Sequence, residues 1–462
     1  MSPLYPVYSI TIARCCVSIM SLALVTALAA ATNASPAARQ TSTNDPWGPT
    51  RGSLAWQIAL APHIGAEKSD EQIVNAQVAV SAARDPGPQL ERLGWLFVAK
   101  ARTSHDSGFY KLAEQCALAL QVHDENNPSA LLLRGHVAQS LHRFKEAEAI
   151  ARQLVAQREF AFDFGLLGDA LADQGKLSEA TTAYQRMINL KPNLQSYSRV
   201  AHVRWLKGDL AGAIEGAELA TRAGSVIDAE SSAWAFARLA TFHAQAGAIA
   251  KAEAACVAAH GLVADYPPAL LLQGRILLAS AKPEEAANLL GRAAAKIPLP
   301  EYQWALADAL RAASRDVEAV TVETELNRTG AANDPRTFAL YLATRGEQID
   351  LALRLVTGEL KDRADVFTHD ALAWVQYAAG RHDEAWKSIE RALAEGTKDA
   401  RLFFHAAMIA SRIERPDAAD RLARARDLDG LLLPSERKQL ANAEVVSTAA
   451  TAPPNRSSSI SH

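Results

Sequence analysis

The chain is poor in the residues that hold small or chemically active folds together. Four cysteines among 462 residues exclude a disulfide-built scaffold, and no Cys-x-x-Cys or His-Glu-x-x-His spacing offers a zinc ligand set. Aromatic residues amount to only 6%. Charge of one sign is not in excess: 48 Lys+Arg face 51 Asp+Glu, a net −3, which gives no pull toward nucleic acid or an anionic membrane surface. Phosphate loops are missing too. Gly175-Lys176-Leu177 lacks the leading glycines and the Ser/Thr of a P-loop, and Gly165-Leu-Leu-Gly168 follows no strand, so it is no dinucleotide loop. There is no Gly-x-Ser-x-Gly elbow. The acidic pairs Glu284-Glu285 and Asp383-Glu384 sit where helices begin, as the positive end of the helix dipole favours.

One apolar run stands out, from Val17 to about Ala31, preceded by Arg14 and followed by small residues. It is short of the about 20 apolar residues a spanning helix needs and reads as a secretory signal over residues 1–34. Two outcomes follow from it: cleavage, giving a mature chain with no integral membrane segment, or retention as an N-terminal anchor. Residues 35–68, with the turn cluster Asn44-Asp45-Pro46-Trp47-Gly48-Pro49, read as a flexible linker with a weak helical piece near Trp56. Residues 444–462 read as a disordered tail by composition.

What the chain does have is alanine, at roughly a fifth of its positions, and a ruler. Ala113, Ala147, Ala180, Ala213, Ala252, Ala286, Ala319, Ala352, Ala385 and Ala418 follow one another at intervals of 34, 33, 33, 39, 34, 33, 33, 33 and 33. Twelve residues before most of them stands a second small residue, among them Gly135, Gly168, Ala201, Ala240, Gly274, Ala307, Ala373 and Ala406. Two helices that cross closely need small side chains where their axes meet. Gly175, Gly208, Gly247, Gly346 and Gly380 fall between the two helices of a unit, where a left-handed turn suits glycine. The 39-residue interval predicts a longer connection around residues 224–230. Helix-pair repeats of this kind stack, because one pair cannot bury its own apolar face.

Leu167-Gly168, Ala180, Tyr184 and Pro192 match the tetratricopeptide repeat almost position for position, and the chain resembles that family over roughly residues 88–430. The resemblance implies an all-α, right-handed superhelical solenoid of about ten such pairs over residues 69–443, with first helices lining a concave groove. Asp70–Arg84 would cap its front and the helix started by Pro434 its back. The Lys/Asn carboxylate clamp of the cochaperone members is not matched: the corresponding positions hold His, Asp, Thr, Arg or aromatic residues.

An open groove favours an extended peptide or another protein as partner. Counting from the ruler places Trp205, Trp304, Asp308, Arg311, Tyr341, Trp374 and Tyr377 on the groove side. Trp304/Asp308/Arg311 and Asp370/Trp374/Tyr377 each share one helical face. Aromatic and arginine side chains are the usual anchors of interfaces, so these seven are the candidate partner-binding residues; for Trp304 a core position between helices competes with that role. No catalytic, cofactor or metal residue is expected. The expected function is a non-enzymatic protein- or peptide-binding scaffold of the bacterial cell envelope, placed in the periplasm by the signal. The alternative is an accessory subunit that positions a separately encoded enzyme or an assembly machine.

Overall fold

The computed structural model describes residues 45–104 and 106–451, with side chains as far as residue 443. The expected signal segment, the start of the linker and the end of the tail lie outside the described residues. All regular structure among them is helical, and the chain divides after Leu190 into two compact units. Each is an α-solenoid of antiparallel helix pairs.

The first unit opens with α1 (Gly48–Gly52), α2 (Leu54–Ala59) and α3 (Lys68–Ala82). Three pairs follow: α4 (Gly87–Ser104) with α5 (Gly108–His123), α6 (Pro128–Ser140) with α7 (Phe144–Gln157), and α8 (Ala161–Asp173) with α9 (Leu177–Leu190). The second unit holds seven pairs. These are α10 (Leu194–Leu206) with α11 (Leu210–Arg222), α12 (Ala229–Gln245) with α13 (Ile249–Leu262), α14 (Pro267–Ala279) with α15 (Pro283–Lys296) and α16 (Pro300–Ala312) with α17 (Asp316–Asn333). Then come α18 (Pro335–Arg345) with α19 (Ile349–Leu360), α20 (Val366–Ala378) with α21 (His382–Leu393), and α22 (Ala400–Arg412) with α23 (Ala418–Asp427). A last helix, α24 (Pro434–Thr451), follows the seventh pair.

The ruler alanines mark where second helices pack. Nine of the ten, Ala113 through Ala385, have no exposed surface. Ala418 alone is only partly buried, because α23 starts at that residue instead of three before it. The second mark is the crossing point. A Cβ on Gly168 would lie 2.3 Å from the Tyr184 ring, and one on Gly274 would lie 2.5 Å from Leu290 Cγ, both within their own pair. The five predicted turn glycines all take positive φ, from 69° to 79°. Where the same turn lacks glycine, His142, Ala281 and Ser314 are driven into that region instead, at φ 59°, 54° and 61°. The long interval becomes a 3-10 turn over Val226–Asp228 and a longer α12.

The linker expectation fails for residues 45–60. Trp47 and Trp56 are buried in the first unit's core, and the Trp47 ring stacks on His123 at 3.8 Å. Burial of two large aromatic surfaces outweighs the turn-rich composition around them. At the other end α24 runs through residue 451, so the boundary placed at residue 444 falls inside a helix.

Candidate partner-binding face

In the second unit the first helices of successive pairs adjoin one another, α10 to α12, α12 to α14 and onward to α22. Together they line the inner face. The unit curls far enough for its first pair to meet its last. Trp205 Nε1 on α10 donates to the carbonyl of Lys398 at 2.8 Å, and the Lys207 ammonium reaches Glu395 at 2.9 Å. Gln245 on α12 donates to Asp399 Oδ2 at 2.7 Å and accepts from the amide of Ala400. The Thr397 hydroxyl donates to the carbonyl of Leu206. Backbone meets backbone at this seam: a Cβ on Gly208 would come within 2.6 Å of the Gly396 carbonyl oxygen. Both glycines also hold positive φ, so no other residue fits either place without strain.

The inner face is also covered by the end of the chain. After α23 a 3-10 turn over Asp429–Leu431 packs on α14, and α24 then lies against α16, α18 and α22. Pro434 occupies the first helical position, where its missing N–H costs nothing. Glu436 reaches back so that the Leu433 amide donates to its Oε2 at 2.8 Å, while its Oε1 accepts from Arg401 Nε at 2.6 Å. Ser435 donates through both its amide and its hydroxyl to Asp308 Oδ2, at 2.9 and 2.6 Å. Trp304 Nε1 donates to the Ser435 hydroxyl at 3.3 Å. Arg437 donates to the Leu278 carbonyl and Gln439 to the Thr344 carbonyl.

The seven sequence-predicted residues are brought together only in part, and five of them are not exposed anchors. Trp304, Tyr341 and Trp374 are each 1% exposed, Trp205 4% and Asp308 7%. Trp304 meets Tyr341 edge-on at 5.9 Å and is packed between first helices, while its Nε1 bonds the docked segment, so it serves both as core and as groove wall. Trp374 is stacked between Tyr377 at 5.0 Å and His405 at 4.3 Å, and its Nε1 donates to Thr344 Oγ1. Trp205 packs on Phe242 and Phe367 and belongs to the seam. Arg311 forms a two-pronged ion pair with Glu323 on α17, the outer helix of its own pair. Only Arg311 and Tyr377 keep appreciable exposed surface. The physical reason is that a curled stack with the chain's end laid inside it leaves little of its inner face to solvent.

Burial shapes the electrostatics. Asp308 is pushed up to about 6 by loss of water, opposed by the two hydrogen bonds from Ser435. His202 falls to about 3, first from burial and then from the Arg238 guanidinium beside it. Cys256 is pushed up to about 12 by burial, and the thiol of Cys116 rises for the same reason; both are free, buried packing residues. Among the described residues, no group of three or more His, Cys, Asp or Glu is placed to hold a metal ion, and no helix is long and apolar enough to cross a membrane.

Sequence reasoning missed Arg401, His405, Ser435 and Glu436. The proline-started helix with a glutamate at its third position was visible; that it folds back onto α16 and α22 was not, since no local pattern encodes contacts 127 residues apart.

No protein-family model matches the chain, and no curated protein matches it. Solved structures similar to it include the APC/C hetero-tetramer Cut9–Hcn1, 16% identical at TM-score 0.43, covering 77% of this chain and 62% of that one. The chain thus spans less than two thirds of the Cut9 structure. A human IFIT1 dimer with m7Gppp-AAAA is 17% identical at TM-score 0.46, covering 70% of this chain and 76% of that one. TTC0263, a thermophilic TPR protein of Thermus thermophilus, is 18% identical at TM-score 0.34, covering 38% of this chain and 91% of that one. Such likenesses concern fold alone, and the solenoid assignment rests on the helix pairs themselves.

Proposed function

We propose that the chain is a non-enzymatic, protein-binding repeat scaffold of the bacterial cell envelope, exported by residues 1–34, and that its partner's segment docks on the inner face of the second unit. One observation carries this reading: that face already holds a polypeptide segment. Side-chain acceptors and donors (Asp308, Trp304 and Arg401) and the backbone carbonyls of Leu278 and Thr344 together grip residues 435–439. A helix laid with its apolar face in a hydrophobic groove is a recurring mode of peptide recognition. The near-balance of acid and base in the whole chain supports a protein partner over nucleic acid.

The test is site-specific photo-crosslinking in intact cells. A photoreactive residue replaces Arg311 or Tyr377 on the inner face, or Val320 on the exposed outer side of α17. Fractionation of the same cells reports the compartment. The reading predicts a discrete protein adduct from the two inner positions, in the envelope fraction. Adducts from Val320 alone, or a chain that stays in the cytoplasm, would refute it.

A further inference from the structure

The segment that fills the inner face docks through groups a separate chain could supply. Its polar contacts to the rest of the unit come from four residues within five positions, Ser435, Glu436, Arg437 and Gln439, and its apolar ones from Leu432, Leu433 and Leu440, all buried. The fit is incomplete. Arg401 Nη2 and Arg275 Nε are buried on the same face without a hydrogen-bond partner, as is His405 Nε2 beside Trp374. Each such group carries an uncompensated desolvation cost. A separate segment that repeated the contacts of residues 431–440 and added a partner for these atoms would hold the face more tightly than those residues do.

We propose that residues 431–440 are an internal ligand that occupies the partner groove, and that the groove's true partner is a protein segment of the same chemistry. That segment carries a pair of leucines, then a proline-started helix with a hydroxyl at its second position for Asp308 and Trp304. A carboxylate at its third position meets Arg401. This rests on the scaffold reading and deepens it. Binding then displaces the C-terminal segment, which keeps the free groove closed to weaker competitors. The tether raises the segment's effective concentration to about the millimolar range, so only a better-fitting partner wins.

The probe is a fluorescent synthetic peptide of residues 431–442, titrated into the full chain and read by anisotropy. Wild type should bind it weakly. The double variant Ser435→Ala/Glu436→Gln, whose own segment has lost its grip, should bind it at least tenfold more tightly. Adding Asp308→Asn and Arg401→Ala should remove that binding. Equal affinity in wild type and the double variant, or none in either, overturns the proposal. Hydrogen exchange of the unaltered chain gives a second measurement that needs no variant. Amides of residues 436–443 should exchange at least tenfold faster than those of α16 and α18, and equal protection would show an integral helix and overturn the proposal. If crosslinks from Arg311 and Tyr377 persist while the peptide fails to bind, only the internal-ligand proposal falls. If the crosslinks are missing too, the scaffold reading falls with it.

Discussion

The same substitution should change stability in opposite directions at three glycines of the second unit. A Cβ on Gly274 would sit 2.5, 2.6 and 3.0 Å from three carbons of Leu290, a side chain with no exposed surface and no room to swing away. Overpacking of this kind costs about 1–3 kcal/mol. Replacing a helical glycine returns about 0.5–1 kcal/mol of backbone entropy. Gly274→Ala should therefore lose about 1–2 kcal/mol net. Gly261 and Gly358 are also helical, yet a Cβ on either meets nothing within 4 Å. Gly261→Ala and Gly358→Ala should each gain about 0.5–1 kcal/mol, with the gain reduced near a helix end. Leu290→Ala should cost about 2–5 kcal/mol alone and less in the Gly274→Ala background, where the new methyl fills part of the hole. That is a coupling of about 1 kcal/mol. Urea unfolding followed by tryptophan fluorescence gives the midpoints. If Gly274→Ala stabilises as the other two do, the close helix crossing is wrong and the 33-residue register goes with it.

Four other outcomes follow from the same geometry. Gly380→Ala, at φ 74° with open space around the new methyl, should lose about 1 kcal/mol by backbone strain alone, whereas Gly208→Ala also strikes the Gly396 carbonyl and should lose clearly more. Ala281→Gly relieves a left-handed alanine and should hold or raise the urea midpoint; a fall would deny the strain. Trp374→Ala should cost about 3–5 kcal/mol, because it empties a buried stack, so melting curves must accompany any binding assay on that variant. Asp308 gives a pH dependence. Its folded value of about 6 lies above its unfolded value of about 4, so the folded chain binds more protons between them and its stability falls as pH rises through that window. Asp308→Asn should flatten the curve between about pH 4 and 6 by up to about 3 kcal/mol relative to wild type, and parallel curves would deny the shift.

Much of the repeat architecture was legible because it is periodic. Close packing of two helices demands a small residue at the crossing and a permissive one at the turn, and both demands recur with every pair, as Gly168, Ala180 and Gly175 show. The candidate face was legible only as a set of positions. Trp304, Tyr341 and Trp374 do lie on first helices turned inward, but what covers them depends on how small rotations accumulate over seven pairs. The contact of Trp205 with Lys398 spans 193 residues, and no window of sequence announces it. Trp47 and Trp56 teach the reverse lesson: a turn-rich composition hid two buried aromatic anchors.

The filled inner face requires the segment after α23 to fold back into the second unit, and one measurement reaches that contact without a partner. A Cβ on Gly430 would lie 3.4 Å from the Cβ of Ala279 on α14, close to the separation a disulfide spans. Neither native described cysteine is exposed. In the chain carrying Ala279→Cys and Gly430→Cys, mild oxidation should close a 279–430 disulfide nearly completely while helicity is retained, as peptide mapping by mass spectrometry would show. Two thiols that stay free and reactive in a folded chain would contradict the docked end, and with it the filled inner face.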